Sequence, residues 1–341
     1  MTYRERVMNV LAFKPVDKPA VETTYATVGF YEHGEKMNAL LEKYPGDFGP
    51  YARQVIPVLP PEAFDENGRY YEKKTDEWGT VTEYRVYGIR GHASEFPVVT
   101  DEDADKYRFP AQPAVFTDAA LCKQYVDGIK KDYFSLIGTG GTILERMWAI
   151  RGFEQHMIDL ADDNEAINRL MDRMTEYFRE RIAALAEAGA EGVSVSDDFG
   201  TQNGLLISRD TFRRVLKPRF KRMLEPAVQA GMHIHFHSCG RVIDLFDDLR
   251  DLGVGSIWPQ LPAYDMHELR DALKYYGFSL AIHTDRANTM TNGTPEQVRD
   301  LILLENEIFK PKDGGSWFYY ECDTGFPFEN ILAFFETVYS L

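Results

Sequence analysis

The sequence has few cysteines, no long apolar run and no excess of positive charge. Three cysteines in 341 residues cannot supply the disulfide framework of a secreted protein, which favours a reducing, cytoplasmic setting. No apolar run approaches the ~20 residues that span a bilayer, and the N-terminal residues lack the apolar stretch of a signal peptide. The net charge of −16 disfavours nucleic acid and anionic membrane surfaces as partners. We therefore expect a cytoplasmic protein that binds neither.

Apolar segments with the spacing of strands and helices are abundant. Hydrophobic residues make up 44% of the chain, enough for a sizeable core. Eight segments have the length and apolar content of buried strands, and helical patterns separate most of them. Eight such strands with intervening helices favour a (β/α)8 TIM barrel, an α/β fold, over an open sheet. The predicted strands are 18–24, 53–59, 134–140, 191–200, 233–240, 254–260, 279–285 and 316–323.

One segment interrupts this alternation. Residues 66–98 alternate aromatic, β-branched and charged residues around glycines, which predicts a β-hairpin insertion in the N-terminal half. No internal repeat and no Pro/Ser-rich linker is present. We therefore expect a single TIM-barrel domain over 1–341, with the insertion at about 66–98.

Local signals also place helix ends and turns. A helical pattern from Ile167 to Leu185 should end at Gly189, and the pattern over 210–229 should break near Pro218. Thr294, followed by a proline and then a glutamine three residues after it, should begin the helix at 294–307. GTGGT at 138–142 matches neither a dinucleotide fingerprint nor a P-loop and predicts a tight turn.

Two cysteines and one histidine stand at predicted strand ends. His237 and Cys239 are two residues apart, so they share one face of their strand, and Cys322 lies at the end of a different strand. In a barrel, the carboxyl ends of all strands open on one face. One imidazole and two thiolates suit Zn²⁺ and leave a fourth position open, as in catalytic zinc sites. A core histidine and a buried thiol would be the structural alternative, and Cys122, in a helical pattern, is expected to be buried.

Acidic and aromatic residues near strand ends complete the candidate site. Asp197 and Asp198 lie toward the end of a predicted strand, where a buried carboxylate must be paired or functional, and we expect them to act in proton transfer. Helix capping or an ion pair is the alternative. The fourth zinc ligand stays open: water, an acid such as Asp198, or another residue. The expected substrate contacts are Trp148, Phe199, Asn203 and Trp258.

The order of three segments, 152–172, 196–223 and 235–260, resembles the uroporphyrinogen decarboxylase superfamily, and the resemblance implies a (β/α)8 barrel. Its decarboxylases carry an arginine-rich motif shortly after the first strand, whereas no arginine occurs here between Arg6 and Arg53. Its other branch contains corrinoid-dependent methyltransferases with a zinc motif of His-x-Cys and a distant Cys. His237, Cys239 and Cys322 match that motif.

The resemblance implies a function and a partner. The stretch SDDFGTQNGLLIS, at 196–208, is more similar to the O-demethylase methyltransferases of anaerobic bacteria, which move a methyl group from an aryl methyl ether to the Co(I) of a separate corrinoid protein. Asp198 or a neighbour would move a proton or orient the substrate. The chain lacks an Asp-x-His-x-x-Gly cobalt-binding sequence, so the cobalamin would be held by the partner. Transfer from the corrinoid to a thiol or tetrahydrofolate, and a decarboxylase-like lyase, are the alternatives.

Overall fold

The computed structural model, which describes residues 1–140 and 142–341, is an α/β protein with a seven-stranded parallel sheet and a separate three-stranded antiparallel sheet. The parallel sheet has the strand order β1-β10-β9-β8-β7-β6-β5, and the antiparallel one is β2-β3-β4. The strands are β1 Val21–Thr24, β2 Glu72–Thr75, β3 Val81–Tyr84, β4 His92–Glu95, β5 Leu136–Gly138, β6 Gly192–Ser196, β7 His233–Ser238, β8 Val254–Pro259, β9 Ser279–His283 and β10 Ser316–Glu321.

Helices connect most of the parallel strands. None of those in the described residues is long and apolar enough to cross a membrane. Two π-helical segments, Phe212–Leu216 and Arg286–Met290, occur among them. The α-helices are α1 Tyr3–Leu11, α2 Thr27–His33, α3 Glu35–Lys43, α4 Asp101–Lys106, α5 Ala114–Thr117, α6 Ala119–Lys130, α7 Leu144–Arg151, α8 Phe153–Asp162, α9 Glu165–Glu187, α10 Arg209–Thr211, α11 Lys217–Gln229, α12 Phe246–Asp251, α13 Met266–Tyr276, α14 Pro295–Phe309 and α15 Phe328–Ser340.

The predicted helix boundaries are confirmed. Gly189 follows α9 with a φ of 80°, a conformation that glycine adopts without strain. The break expected near Pro218 is the π-helical segment that ends just before α11, because proline has no N–H to continue the α-helical ladder. Thr294 and Gln297 form the capping box of α14. The predicted turn at 138–142 includes Gly141, which lies outside the described residues.

Seven of the eight predicted strands are present, and the strand predicted at 53–59 is wrong. Residues 51–60 form no helix or strand, and the side chains of Val55 and Val58 are each 89% exposed. A barrel strand would bury both of its faces, and Pro57 removes a ladder donor. β1 pairs with β10, and β5 pairs with β6. The curled parallel sheet is consistent with a TIM-type fold, and its closure into eight strands stays a prediction.

The segment predicted as an insertion contains the antiparallel sheet. β2, β3 and β4 all lie between residues 66 and 98, and they pair in the order of the chain. The side chains at the ends of β3 and β4 face α7 and α8 across a large cavity. This small sheet therefore covers one side of the carboxyl end of the parallel sheet.

The two faces of the parallel sheet differ in polarity. The outer face packs on the helices through apolar residues, such as Val195, Phe236 and Ile257, which are adjacent in register. The inner face carries polar residues at the intervening positions. Ser196, His237 and Trp258 form one inner layer, and Ser194, His235 and Ser256 form the layer below it. A parallel strand buried on both sides is usually apolar throughout, so this polar lining marks the interior as the place of function.

Candidate metal centre

His237 is the second-to-last residue of β7, and a hydrogen bond holds its ring in one tautomer. Nδ1 is 2.8 Å from the carbonyl oxygen of Trp258 on the adjacent strand β8. A carbonyl oxygen only accepts hydrogen bonds, so Nδ1 donates and the lone pair is on Nε2. Burial lowers the pKa of His237, and the negative charge of Asp198 opposes this only in part. The ring is therefore neutral near pH 7, as a metal ligand must be.

Asp198, His237 and Cys239 form what we call the metal group. One potential ligand atom from each lies within 4.8 Å of the other two, a compactness found in no other set of three such residues among those described. Cys239 Sγ is 3.5 Å from His237 Nε2, and Asp198 Oδ1 is 3.7 Å from the same nitrogen. Two ligands at normal zinc bond lengths and a tetrahedral angle would be separated by about 3.5 Å. The spacing therefore fits one divalent ion shared by three ligands.

Asp198 also fixes the backbone of its neighbour. Its Oδ1 accepts a hydrogen bond of 2.8 Å from the backbone N–H of Cys239. Burial, reinforced by the charge of Asp198, raises the pKa of the Cys239 thiol to about 12. The free protein therefore holds a thiol there, and a bound cation would reverse that preference by stabilising the thiolate. The chemistry of this donor set, one nitrogen, one sulfur and one carboxylate, suits Zn²⁺.

Cys322 is not part of the metal group. It follows the last residue of β10 and is 2% exposed. Its thiol is directed at α2, where a β-carbon in place of the Gly29 hydrogen would lie 2.8 Å from Sγ. Burial raises the pKa of this thiol to about 12. Its role as a zinc ligand stays a prediction, and the structure brings Asp198 to the group instead.

Asp197 has a different environment from Asp198. Its carboxylate is fully buried and accepts hydrogen bonds from the hydroxyl of Thr142 and the backbone N–H groups of Leu144 and Glu145, at the start of α7. Burial, together with the nearby charge of Glu145, raises its pKa well above the usual value. The structure thus gives Asp197 the helix-capping role that was the alternative to catalysis, and its catalytic role stays a prediction.

The four expected substrate contacts have unequal positions. Trp258 packs at a tilt against His237, with ring centroids 4.0 Å apart, and donates from Nε1 to His283. Trp148 packs edge-on against Phe153 at the wall of a cavity. Phe199 is fully buried among other phenylalanines, and Asn203 lies in an exposed turn. Trp148 and Trp258 are therefore the two placed to meet a ligand.

Three cavities open around these residues. The metal-side cavity, of about 380 Å³, is lined by His237 and Cys239 together with Gln202, His283 and Arg286. The hairpin cavity, of about 1000 Å³, lies between the antiparallel sheet and α7–α8. The seam cavity, of about 380 Å³, lies between the edge strands β1 and β5. Trp258 lines both the hairpin cavity and the seam cavity, so its side chain lies between these two.

Sequence reasoning missed an ion pair between the hairpin cavity and the metal group. Arg90, in the turn between β3 and β4, donates to Glu145 at 2.6 Å, and its charge also interacts with Asp198 and Cys239. No motif identifies this pair. It depends on how the small sheet folds over α7, and only a strand-by-strand register for residues 72–95 would have indicated it.

The family model described as uroporphyrinogen decarboxylase (URO-D) matches residues 89–271. No curated protein matches.

Among solved structures, a methyltransferase from Methanosarcina mazei is 17% identical, with a TM-score of 0.64 over 100% of this chain and 99% of that one. A B12-independent methionine synthase from Shewanella sp. W3-18-1 is 13% identical over 81% of this chain and 76% of that one, with a TM-score of 0.44. The matched family segment contains Asp198, His237 and Cys239 and ends before Cys322.

Proposed function

The chain belongs to the uroporphyrinogen decarboxylase family, and from this premise we propose that it is a zinc-dependent methyltransferase. It would move a methyl group from a small methylated substrate, an aryl methyl ether, to the Co(I) of a corrinoid held by a separate protein. The observation that carries the proposal is the metal group at the edge of an open cavity. The absence of arginine between Arg6 and Arg53 argues against the decarboxylase reaction.

The residues of the metal group would hold the ion. His237 would bind through Nε2, because Nδ1 is engaged by the carbonyl of Trp258. Cys239 would bind through its thiolate and Asp198 through its carboxylate. Cys322, which completes the motif of the methyltransferase branch, would be a further ligand only after its thiol leaves the contact with Gly29. With these residues as ligands, the ion would be accessible to the ether oxygen of a substrate in the metal-side cavity.

The reaction breaks the bond between the methyl carbon and the ether oxygen. The electron pair of that bond stays on the oxygen, and the methyl carbon passes to Co(I), which supplies the new bonding pair. Bound zinc would supply a Lewis acid that stabilises the charge developing on oxygen. The residues that line the metal-side cavity would orient the substrate and exclude water. Gln202 and Arg286, which line the same cavity, carry hydrogen-bond donors for the substrate.

The test is methyl transfer to a reduced corrinoid protein, followed by the change in the cobalt spectrum. Wild-type protein loaded with zinc is mixed with Co(I) corrinoid protein and a series of methoxybenzenes. Cys239→Ala should lose zinc and methyl transfer together, because a ligand of the ion is removed. Cys122→Ala is the matched control, since Cys122 lies in α6 with its thiol 3.5 Å from the carbonyl of Ala184.

Two results would reject the proposal. The first is stoichiometric zinc and full methyl transfer in Cys239→Ala. The second is transfer only in the opposite direction, from methylated corrinoid to a thiol or to tetrahydrofolate, which would assign the chain to the other half of the pathway. Loss of zinc in Cys122→Ala would show that the assay reports unfolding, and the zinc content of the folded variants would then decide.

A further inference from the structure

The seam cavity lies where the ladder of the parallel sheet is interrupted. Its walls include Thr23 and Thr24 of β1 and Leu136 and Gly138 of β5, the two strands at the edges of the sheet. The segment after β1 that was expected to fill this gap as a strand runs as an irregular chain instead. Pro50, three residues before that segment, lines the cavity. The gap therefore leaves a space of about 380 Å³ inside the protein, in the range of small-molecule sites.

The charge of this cavity has one sign. Glu22 and Glu321 line it, and no lysine, arginine or histidine does so among the described residues. The remaining polar groups include the hydroxyls of Thr24 and Tyr319, which are hydrogen-bonded to each other at 2.7 Å. Trp258 forms an aromatic part of the wall. Two carboxyl groups that share a cavity with no cationic side chain leave negative charge without a partner.

Glu22 is the less compensated of the two acids. Its Oε2 accepts a hydrogen bond of 2.8 Å from Nε1 of Trp317. Burial raises its pKa to about 7, and this hydrogen bond is the only opposing influence. Glu321 is 3.5 Å from Arg286, but the same guanidinium nitrogen is equally close to Asp323 and lines the metal-side cavity. The seam cavity thus has carboxylate acceptors to offer and no resident counter-charge for Glu22.

We propose that the seam cavity binds a cationic nitrogen of the methyl donor, an ammonium or alkylammonium group, through Glu22 and Glu321. The proposal names the donor class and so rests on the proposed function. A metal ion is a poorer occupant, because Glu22 and Glu321 belong to no compact set of three metal-ligating residues in the described chain. Trp258 lines this cavity, and its ring packs at a tilt against His237 with centroids 4.0 Å apart. The ring of Trp258 therefore lies between a group bound at Glu22 and the imidazole of the metal group.

The experiment measures binding and does not depend on methyl transfer. Three ligands of similar shape are titrated by calorimetry into the zinc-loaded protein without corrinoid: meta-methoxyphenethylamine, which is a cation, neutral meta-propylanisole, and the anion meta-methoxyphenylpropanoate. The amine should bind about tenfold or more tightly than the neutral compound, as expected for a charge-assisted hydrogen bond in a partly desolvated site. The anion should bind least tightly.

The variants assign the effect to the cavity. Glu22→Gln keeps an acceptor for Trp317 and removes the charge, so it should weaken binding of the amine about tenfold and leave the neutral compound unchanged. Glu321→Gln should act in the same direction with a smaller effect. Glu336→Gln, at an exposed position on α15, is the matched control and should change nothing.

Equal affinity for all three compounds, or unchanged binding of the amine in Glu22→Gln, would overturn the inference even if methyl transfer occurs. An amine that does not bind to wild-type protein would overturn it as well. Conversely, charge-selective binding in a protein that transfers no methyl group would support this site and reject the proposed reaction. The two failures are therefore distinguishable.

Discussion

The metal group and the seam cavity show what an intact and an interrupted strand ladder each provide. At the metal group, β7 is paired with both β6 and β8 from His235 to His237, and the residues beside it hold His237 and the backbone N–H of Cys239. At the seam cavity, β1 and β5 are unpaired on their facing edges within the described chain, and Glu22 accepts a hydrogen bond from Trp317. The paired region holds donor atoms at fixed spacing, whereas the unpaired region leaves volume for a ligand.

The largest expected effect comes from breaking the paired region. Asp198→Ala should lower zinc affinity by roughly a hundredfold, because it removes a ligand and also releases the Cys239 N–H. Competition with a chromogenic chelator measures this. Asp198→Asn is the matched variant, since its amide oxygen can still accept from the same N–H, and it should retain part of the affinity. Unchanged zinc affinity in Asp198→Ala would remove Asp198 from the metal group.

A smaller effect is expected at the contact between Gly29 and the thiol of Cys322, which lies outside the metal group. Gly29→Ala should destabilise the protein by about 2 kcal/mol, because the added carbon would lie 2.8 Å from Cys322 Sγ. Combining it with Cys322→Ala removes the closest contact, so the double variant should be more stable than the sum of the single changes implies. Urea unfolding of the four proteins gives the coupling. Additive effects would show that the Cys322 thiol does not contact Gly29. They would favour the arrangement in which Cys322 binds zinc together with His237 and Cys239.

The smallest effect is expected at Glu305, a buried acid away from both regions that serves as a reference for Glu22. Burial raises the pKa of Glu305, on α14, to about 8, and the hydroxyl of Thr284 offsets this only in part. The folded protein therefore keeps a proton that the unfolded chain releases above its ordinary pKa, so stability falls as pH rises through this window. Between pH 7 and 8, wild type should lose about 1 kcal/mol relative to Glu305→Gln.

Thermal unfolding of wild type and Glu305→Gln across that pH range tests whether stability falls as pH rises. Parallel curves for the two proteins would show that Glu305 titrates normally. A cationic ligand should not alter the pH dependence that Glu305 contributes, because that residue lines none of the three cavities. This separates it from Glu22.

The paired region was predictable from sequence and the unpaired region was not. Alternation within HFHSC places His237 and Cys239 on one face, and apolar runs locate seven strands, because those signals are local. The strand at 53–59 failed because its apolar residues, such as Val55, are exposed, and exposure depends on distant parts of the chain. Glu22 was overlooked for a similar reason. A single acid in the strand AVETT carries no periodic signal, although its burial cost was a clue.

The positions of Cys322 and Asp198 illustrate the same limit. Strand alternation describes side chains within a strand, and Cys322 lies one residue beyond the last residue of β10, where the chain is free to turn its thiol toward α2. Asp198 likewise lies two residues beyond β6, yet the N–H of Cys239 draws its carboxylate to the metal group. Contacts made past strand ends are decided by the loops that meet there.

The tautomer of His237 rests on an atom that no substitution can delete. Its partner is the main-chain oxygen of Trp258, so a change of the amino acid at position 258 alters the neighbouring wall and leaves that acceptor in place. Enzymes of this design can therefore diversify the indole position over evolutionary time, and with it the range of molecules accepted, while the imidazole keeps presenting the same nitrogen.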